Sequence, residues 1–120
     1  MIIVYGLKNC DTCKRAMKWL DGEGIEALLH DLRDDGLEPT QLKQWVAELG
    51  WENMLNRRGT TWRKLPSPQT KDVNEASATA LMAAYPALIK RPVFDLGEKR
   101  VIGFRDQEKE IIKTEYDPDS

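Results

Sequence analysis

Two cysteines, Cys10 and Cys13, stand three apart in the stretch YGLKNCDTCKRA (5–16), and the chain has no others. A thiol attacks a disulfide only as its thiolate, and an ordinary cysteine of pKa about 8.5 is only a few per cent ionised at pH 7. A helix N-terminus changes that, because unpaired backbone N–H groups and the positive end of the dipole face whatever sits there. Lowering the pKa to about 7 makes roughly half of the thiol reactive. Cys10 falls where an apolar run has stopped and a helical pattern begins, so it is the sulfur placed to attack. Cys13, about one turn further in, is expected to be more covered and to resolve a mixed disulfide on Cys10.

Three other uses of such a pair compete with this one. A zinc site needs two further soft ligands, and the sequence offers one histidine, His30, on an expected strand. No metal is therefore expected, and His30 reads as a hydrogen-bonded strand residue. A permanent disulfide staple is disfavoured wherever thiols are kept reduced. Two packed thiols without chemistry remain as the plain alternative, since free cysteine is commonly buried.

The elements that must position the pair follow from the apolar pattern. Ile2–Tyr5 is continuously apolar and largely β-branched, as in a strand covered on both faces, and Gly6–Asn9 breaks it. Ala16, Met17 and Leu20 recur at helical spacing until 21–24, and residues 25–33 read as a second strand. Pro39 starts a helix whose stripe is Leu42, Trp45, Val46 and Leu49, with Gly50 beyond its end. WENML (51–55) continues as a short helix. Residues 56–69, with four basic side chains, Gly59 and two prolines, read mostly as loop. Asn74–Tyr85 is an alanine-rich helix closed by Pro86, residues 93–96 and 99–103 form a hairpin around Gly97-Glu98, and 105–113 is a last amphipathic helix. The tail from 114 to 120 is acidic and expected to fray.

The order β-α-β, helical block, β-β-α, with Cys-x-x-Cys on the first βα turn, predicts a thioredoxin-like α/β domain: a mixed sheet with flanking helices. One domain over 1–120 is expected, with the helical insertion at about 38–86. The composition is that of a globular chain, with 41% apolar and 32% charged residues. A formal charge of −2 gives no global attraction to nucleic acid, and no window approaches the roughly 20 apolar residues of a membrane span. The apolar run at the amino terminus ends after four residues. A secretory signal has about 7–15, so the expected location is the cytoplasm. No heptad pattern is present, and a monomer is expected.

A second constellation is LIKRPVF (88–94), where Pro92 follows a basic pair and precedes a strand. A cis bond there would leave main-chain groups open to a bound peptide or thiol compound, whereas a trans proline would simply start the strand. Arginines recur as Arg57-Arg58, Arg91 and Arg105. Guanidinium forks bind carboxylates and oxyanions and would stabilise a thiolate, if they converge on Cys10.

GLKNCDTCKRA, RRGTTWRKL and YPALIKRPVFD, in this order, resemble the ArsC/Spx superfamily, most closely its YffB-like branch, over roughly residues 2–113. The resemblance implies a thioredoxin-like fold with an inserted helical block and a cis proline at Pro92. It also implies a nucleophile at Cys10, with Arg91 before the proline and Arg105 opening the last helix as oxyanion ligands. Two positions depart from the arsenate-reductase pattern. Asn56 stands where a third arginine is expected, with Arg57 and Arg58 beside it, and Cys13 stands where those enzymes carry serine. Spx-like regulators share the dithiol, as a redox switch, but not the arginine at Arg105.

The implied activity is thus glutathione-dependent thiol–disulfide reduction, with Cys10 attacking and Cys13 or glutathione resolving. Arg58, Arg91, Pro92 and Arg105 are the expected glutathione-binding residues. No bound cofactor is implied; glutathione is the co-substrate, with glutaredoxin or a protein disulfide as a further partner. The alternatives are an arsenate or oxyanion reductase, and an Spx-like regulator binding RNA polymerase through Gly50-Trp51 and the central block.

Overall fold

The structure is a computed structural model that describes residues 1–116. Strand β1 (Ile2–Gly6) is central because its apolar, β-branched residues can be covered on both sides. It pairs in parallel with β2 (Ala27–Asp31), Ile2 opposite Ala27 and Gly6 opposite Asp31. On its other side it runs antiparallel to β3 (Val93–Asp95), with Val4 opposite Phe94. Strand β4 (Arg100–Ile102) closes the sheet against β3, giving the order β2-β1-β3-β4.

Helix α1 (Asp11–Gly22) carries the chain from β1 back to β2 and buries Cys13, Ala16 and Leu20 at positions i, i+3 and i+7. Ala16 and Leu20, with Ile2, Val4, Ile25, Phe94, Val101 and Ile112, make the core on the sheet. Trp19 and Phe104 meet edge-on at 5.7 Å at its margin. A β-α-β start, a β-hairpin and a closing helix on one mixed sheet constitute the thioredoxin-like fold.

By compactness the chain divides into two units: Met1–Asp35 with the chain from Arg91 on, and Gly36–Lys90. The second is helical. Its α2 (Pro39–Leu49) turns Leu42, Trp45 and Val46 inward, and α3 (Trp51–Met54) follows at once. Two single-turn helices come next, α4 (Thr60–Arg63) and α5 (Ser67–Thr70), where the sequence reads as loop. A four-residue helix is too short to display a period, and the prolines at 66 and 68 fit the start of α5. The longer α6 (Glu75–Ala84) is opened by a reciprocal Asn74–Ser77 capping box.

Helix α7 (Asp106–Glu115) runs two residues past the expected end at 113 and is followed by Tyr116, the last described residue. Thr114 and Glu115 are helical, and Tyr116 packs against the sheet core. Residues 117–120 of the tail expected to fray lie outside the described part.

Phe94 is fully buried between β1 and β4 and lies 6.1 Å, ring to ring, from Phe104. Phe94→Ala is expected to cost about 3–5 kcal/mol, measured by urea unfolding, and Phe94→Leu much less.

Candidate active site

Cys10 is the N-cap of α1, with extended backbone angles of φ −90° and ψ 119°. Its N–H donates to the Leu7 carbonyl at 3.0 Å, closing a turn, and its own carbonyl accepts the Lys14 N–H at 3.0 Å to begin the helix. The sulfur is half-buried and carries a free thiol. Burial raises its pKa, but the backbone N–H of Cys13, the Cys13 thiol and the Arg91 guanidinium outweigh that, leaving Cys10 below its ordinary value.

Cys13 titrates in the opposite direction. It is 1% exposed, and burial pushes its thiol up to about 12. The Leu7 backbone N–H works against this rise, and a charge on Cys10 adds to it. The sulfur lies so close to the end of β1 that a Cβ on Gly6 would overlap it. Gly6 is therefore a packing requirement of the dithiol. At neutral pH the pair is an accessible sulfur at Cys10 backed by a protonated Cys13 thiol that donates to it.

Arg91 is half-buried beside Cys10, and the Arg91–Pro92 peptide bond is cis, as the resemblance implies. Pro92 is buried, and its carbonyl accepts the Gly103 N–H at 2.9 Å. Arg91 is thus the predicted arginine that the structure brings to the sulfur.

Arg105 is at the N-cap of α7, but its guanidinium is committed to Glu108: Nε to Oε1 at 2.9 Å and Nη2 to Oε2 at 3.2 Å. The side chain is still 75% exposed. Arg58 lies in the helical unit, where its N–H donates to Asn56 Oδ1 at 3.0 Å. With Glu52, Leu55, Asn56, Arg57 and Lys90 it lines a cavity of about 430 Å³. Arg57 is stacked over Trp51 and Trp62, 5.2 and 6.0 Å from the ring centres. His30 lies on β2 opposite Tyr5, their rings 4.7 Å apart. Among the described residues no three of His, Cys, Asp and Glu gather as metal ligands.

Among the described residues two buried carboxylates escape the sequence reading, Glu108 and Asp31. Glu108 accepts the Arg105 N–H at 2.9 Å as well as the guanidinium, and its place three residues after the helix start is the spacing that signals it. Asp31 accepts the Lys8 N–H from 23 residues away, a contact with no local signature.

A thioredoxin-like protein with a thiol at the start of its first helix, drawn down by the N–H and thiol of a second cysteine and by an arginine next to a cis proline, is the class these features define. Residues 5–112 match the model of the ArsC family, and the chain belongs to that family. It is 44% identical over 108 residues to a protein of Haemophilus influenzae, covering 90% of this chain and 95% of that one. The solved structure of the YFFB protein superposes with a TM-score of 0.88 at 40% identity, over 98% of this chain and 100% of the other. The global transcriptional regulator Spx of Lactiplantibacillus plantarum is 29% identical over 114 residues, covering 90% of this chain and 83% of the regulator.

Removing the guanidinium beside Cys10 should leave the sulfur more often protonated. Arg91→Met is expected to slow iodoacetamide alkylation of Cys10 at pH 7 roughly threefold to tenfold and to move its pH midpoint upward. An unchanged profile would show that the Cys13 N–H and thiol stabilise the thiolate without Arg91.

Proposed function

We propose that this chain is a glutathione-dependent thiol–disulfide reductase with Cys10 as the nucleophile. The observation that carries the reading is the placement of the two thiols: Cys10 half-buried at the N-cap of α1 beside Arg91, and Cys13 buried one turn further in against the end of β1. In the first step the Cys10 thiolate attacks the glutathione sulfur of a mixed disulfide. A Cys10–glutathione disulfide forms, and the other thiol leaves as thiolate and takes a proton from water. In the second step a glutathione thiolate attacks that adduct, releasing oxidised glutathione and returning Cys10 to its thiolate form.

Glutathione is favoured over Cys13 for the second step. The Cys13 sulfur is buried, and burial, the largest cause of its raised pKa, persists when Cys10 is blocked, whereas the part that comes from Cys10 does not. Cys13 then serves the thiolate as a hydrogen-bond donor. Arg91, which already faces the sulfur, is the first candidate to bind a glutathione carboxylate. The exposed Arg105 and Arg58 are further candidates, Arg105 having given two of its donors to Glu108.

A second reading comes from the Spx relative, in which the dithiol would act as a switch controlling contact with the transcription machinery. Oxyanion reduction, for which arsenate is the test substrate, is a third use of the same thiolate and is favoured by family membership alone.

The experiment is a coupled NADPH assay with glutathione, glutathione reductase and a glutathione mixed disulfide, run in parallel with arsenate. Turnover of the mixed disulfide is expected, falling at least a hundredfold in Cys10→Ser and no more than about tenfold in Cys13→Ser. Full activity in Cys10→Ser would end the proposal. Turnover of arsenate alone would transfer the site to oxyanion chemistry. Inactivity on both, with redox-dependent capture of RNA polymerase, would favour the regulator.

A further inference from the structure

Cys10 owes its place at the N-cap to the turn Leu7–Cys10, and that turn is not held by its own sequence alone. Its closing bond is Cys10 N–H to the Leu7 carbonyl. Asp72 is the described non-glycine residue with a positive φ, so Lys8 and Asn9 both have negative φ and the turn is type I. The N–H of the residue after Leu7 takes no part in closing such a turn and needs an outside acceptor.

That acceptor is Asp31. It ends β2, opposite Gly6 in the parallel register. Just past this point Leu32 N–H donates to the Gly6 carbonyl at 2.8 Å, the final rung before the two chains part. The Asp31 carboxylate spans the gap beyond. Its Oδ2 accepts the Lys8 N–H at 2.9 Å, and its Oδ1 accepts the N–H groups of Arg33 and Asp34, each at 2.8 Å. Asp31 is itself held from behind, its N–H donating to Asp35 Oδ2 at 3.0 Å. The carboxylate is buried, and the N–H groups of Asp34 and Lys8 keep it below the usual carboxylate range, hence charged at neutral pH.

We infer that Asp31 is a positioning residue for Cys10: its carboxylate fixes the Lys8 N–H, and so the turn that sets the sulfur at the head of α1. The inference rests on the reading of Cys10 as nucleophile and extends it to a residue on another strand. A carboxylate suits this place because all three groups facing it are donors. An amide offers one acceptor oxygen and turns an NH₂ toward a donor. Asp31→Asn therefore loses either the Lys8 bond or the pair that shapes the loop after β2.

The tie has a second end that can be removed independently. Lys8 is the first central residue of a type I turn, where proline is favoured. Lys8→Pro deletes the N–H that reaches Asp31 and leaves the turn geometry intact. Asp34→Ala is the control, since it removes the Lys8–Asp34 ion pair but no acceptor from the Lys8 N–H.

The test is the pH–rate profile for alkylation of Cys10 by iodoacetamide in the full chain, read by peptide mass mapping, with thermal unfolding in parallel. Asp31→Asn and Lys8→Pro should each slow the reaction at pH 7 by about threefold or more and shift the profile to higher pH. The double variant should be no worse than Lys8→Pro in alkylation rate, because once the Lys8 N–H is gone Asp31 has no bond left to the turn. Asp34→Ala should match the unsubstituted chain. Should Asp31→Asn fail to fold, Lys8→Pro still decides the matter. Wild-type rates in Lys8→Pro would overturn the assignment and leave Asp31 a purely structural cap, whatever Asp31→Asn does to thermal stability. An ordinary thiol profile in the unsubstituted chain would instead overturn the nucleophile reading, and this inference with it. Neither outcome depends on a disulfide substrate, so the two failures are distinguishable.

Discussion

A thiolate in a half-buried position survives only if fixed dipoles replace the water it has lost. In this fold the replacement is the first turn of α1, and Cys10 occupies the N-cap where that turn's unpaired N–H groups point. Everything around the site bears on this one placement. Burial alone would raise the thiol, and the Cys13 N–H, the Cys13 thiol and Arg91 reverse the sign. None of these three acts unless the chain leaves β1 and enters α1 at a fixed angle. Gly6 permits that by giving up its side chain to the Cys13 sulfur. The Asp31 carboxylate, reaching across from β2, holds the turn between them.

The two thiols share one environment and are driven apart by it. A charge on Cys10 disfavours a second on Cys13, and burial disfavours it further. Two sulfurs in equivalent surroundings would compete for one proton. Here the inner sulfur keeps it and the outer one is freed to react. Sheet topology creates the asymmetry: α1 turns Cys13, with Ala16 and Leu20, toward the sheet, while the N-cap stays at the rim.

Much of this was legible in the sequence, and the parts that were not share a physical cause. Helix α2 could be read from Pro39 to Leu49 because its start, stripe and terminal glycine are all local signals. The place of Cys10 was legible for the same reason, as an apolar run giving way to a helical period. Helices α4 and α5 were not, since a single turn has no period to detect. Arg105 could be placed at a helix start, but its pairing with Glu108 depends on the helix burying that carboxylate. Asp31 falls inside the expected second strand, 25–33, and carries no signal of its own. Only the parallel pairing of β1 with β2, which brings Gly6 opposite it, shows what its carboxylate is for.

The central claim is that Cys10, and not Cys13, takes the glutathione. The most direct measurement is peptide mass mapping of the full chain quenched in acid during turnover of a glutathione mixed disulfide. The predicted result is a single glutathione on the peptide carrying Cys10, retained in Cys13→Ser and absent in Cys10→Ser. Glutathione on Cys13, or a chain that never carries it while turnover proceeds, would contradict the account.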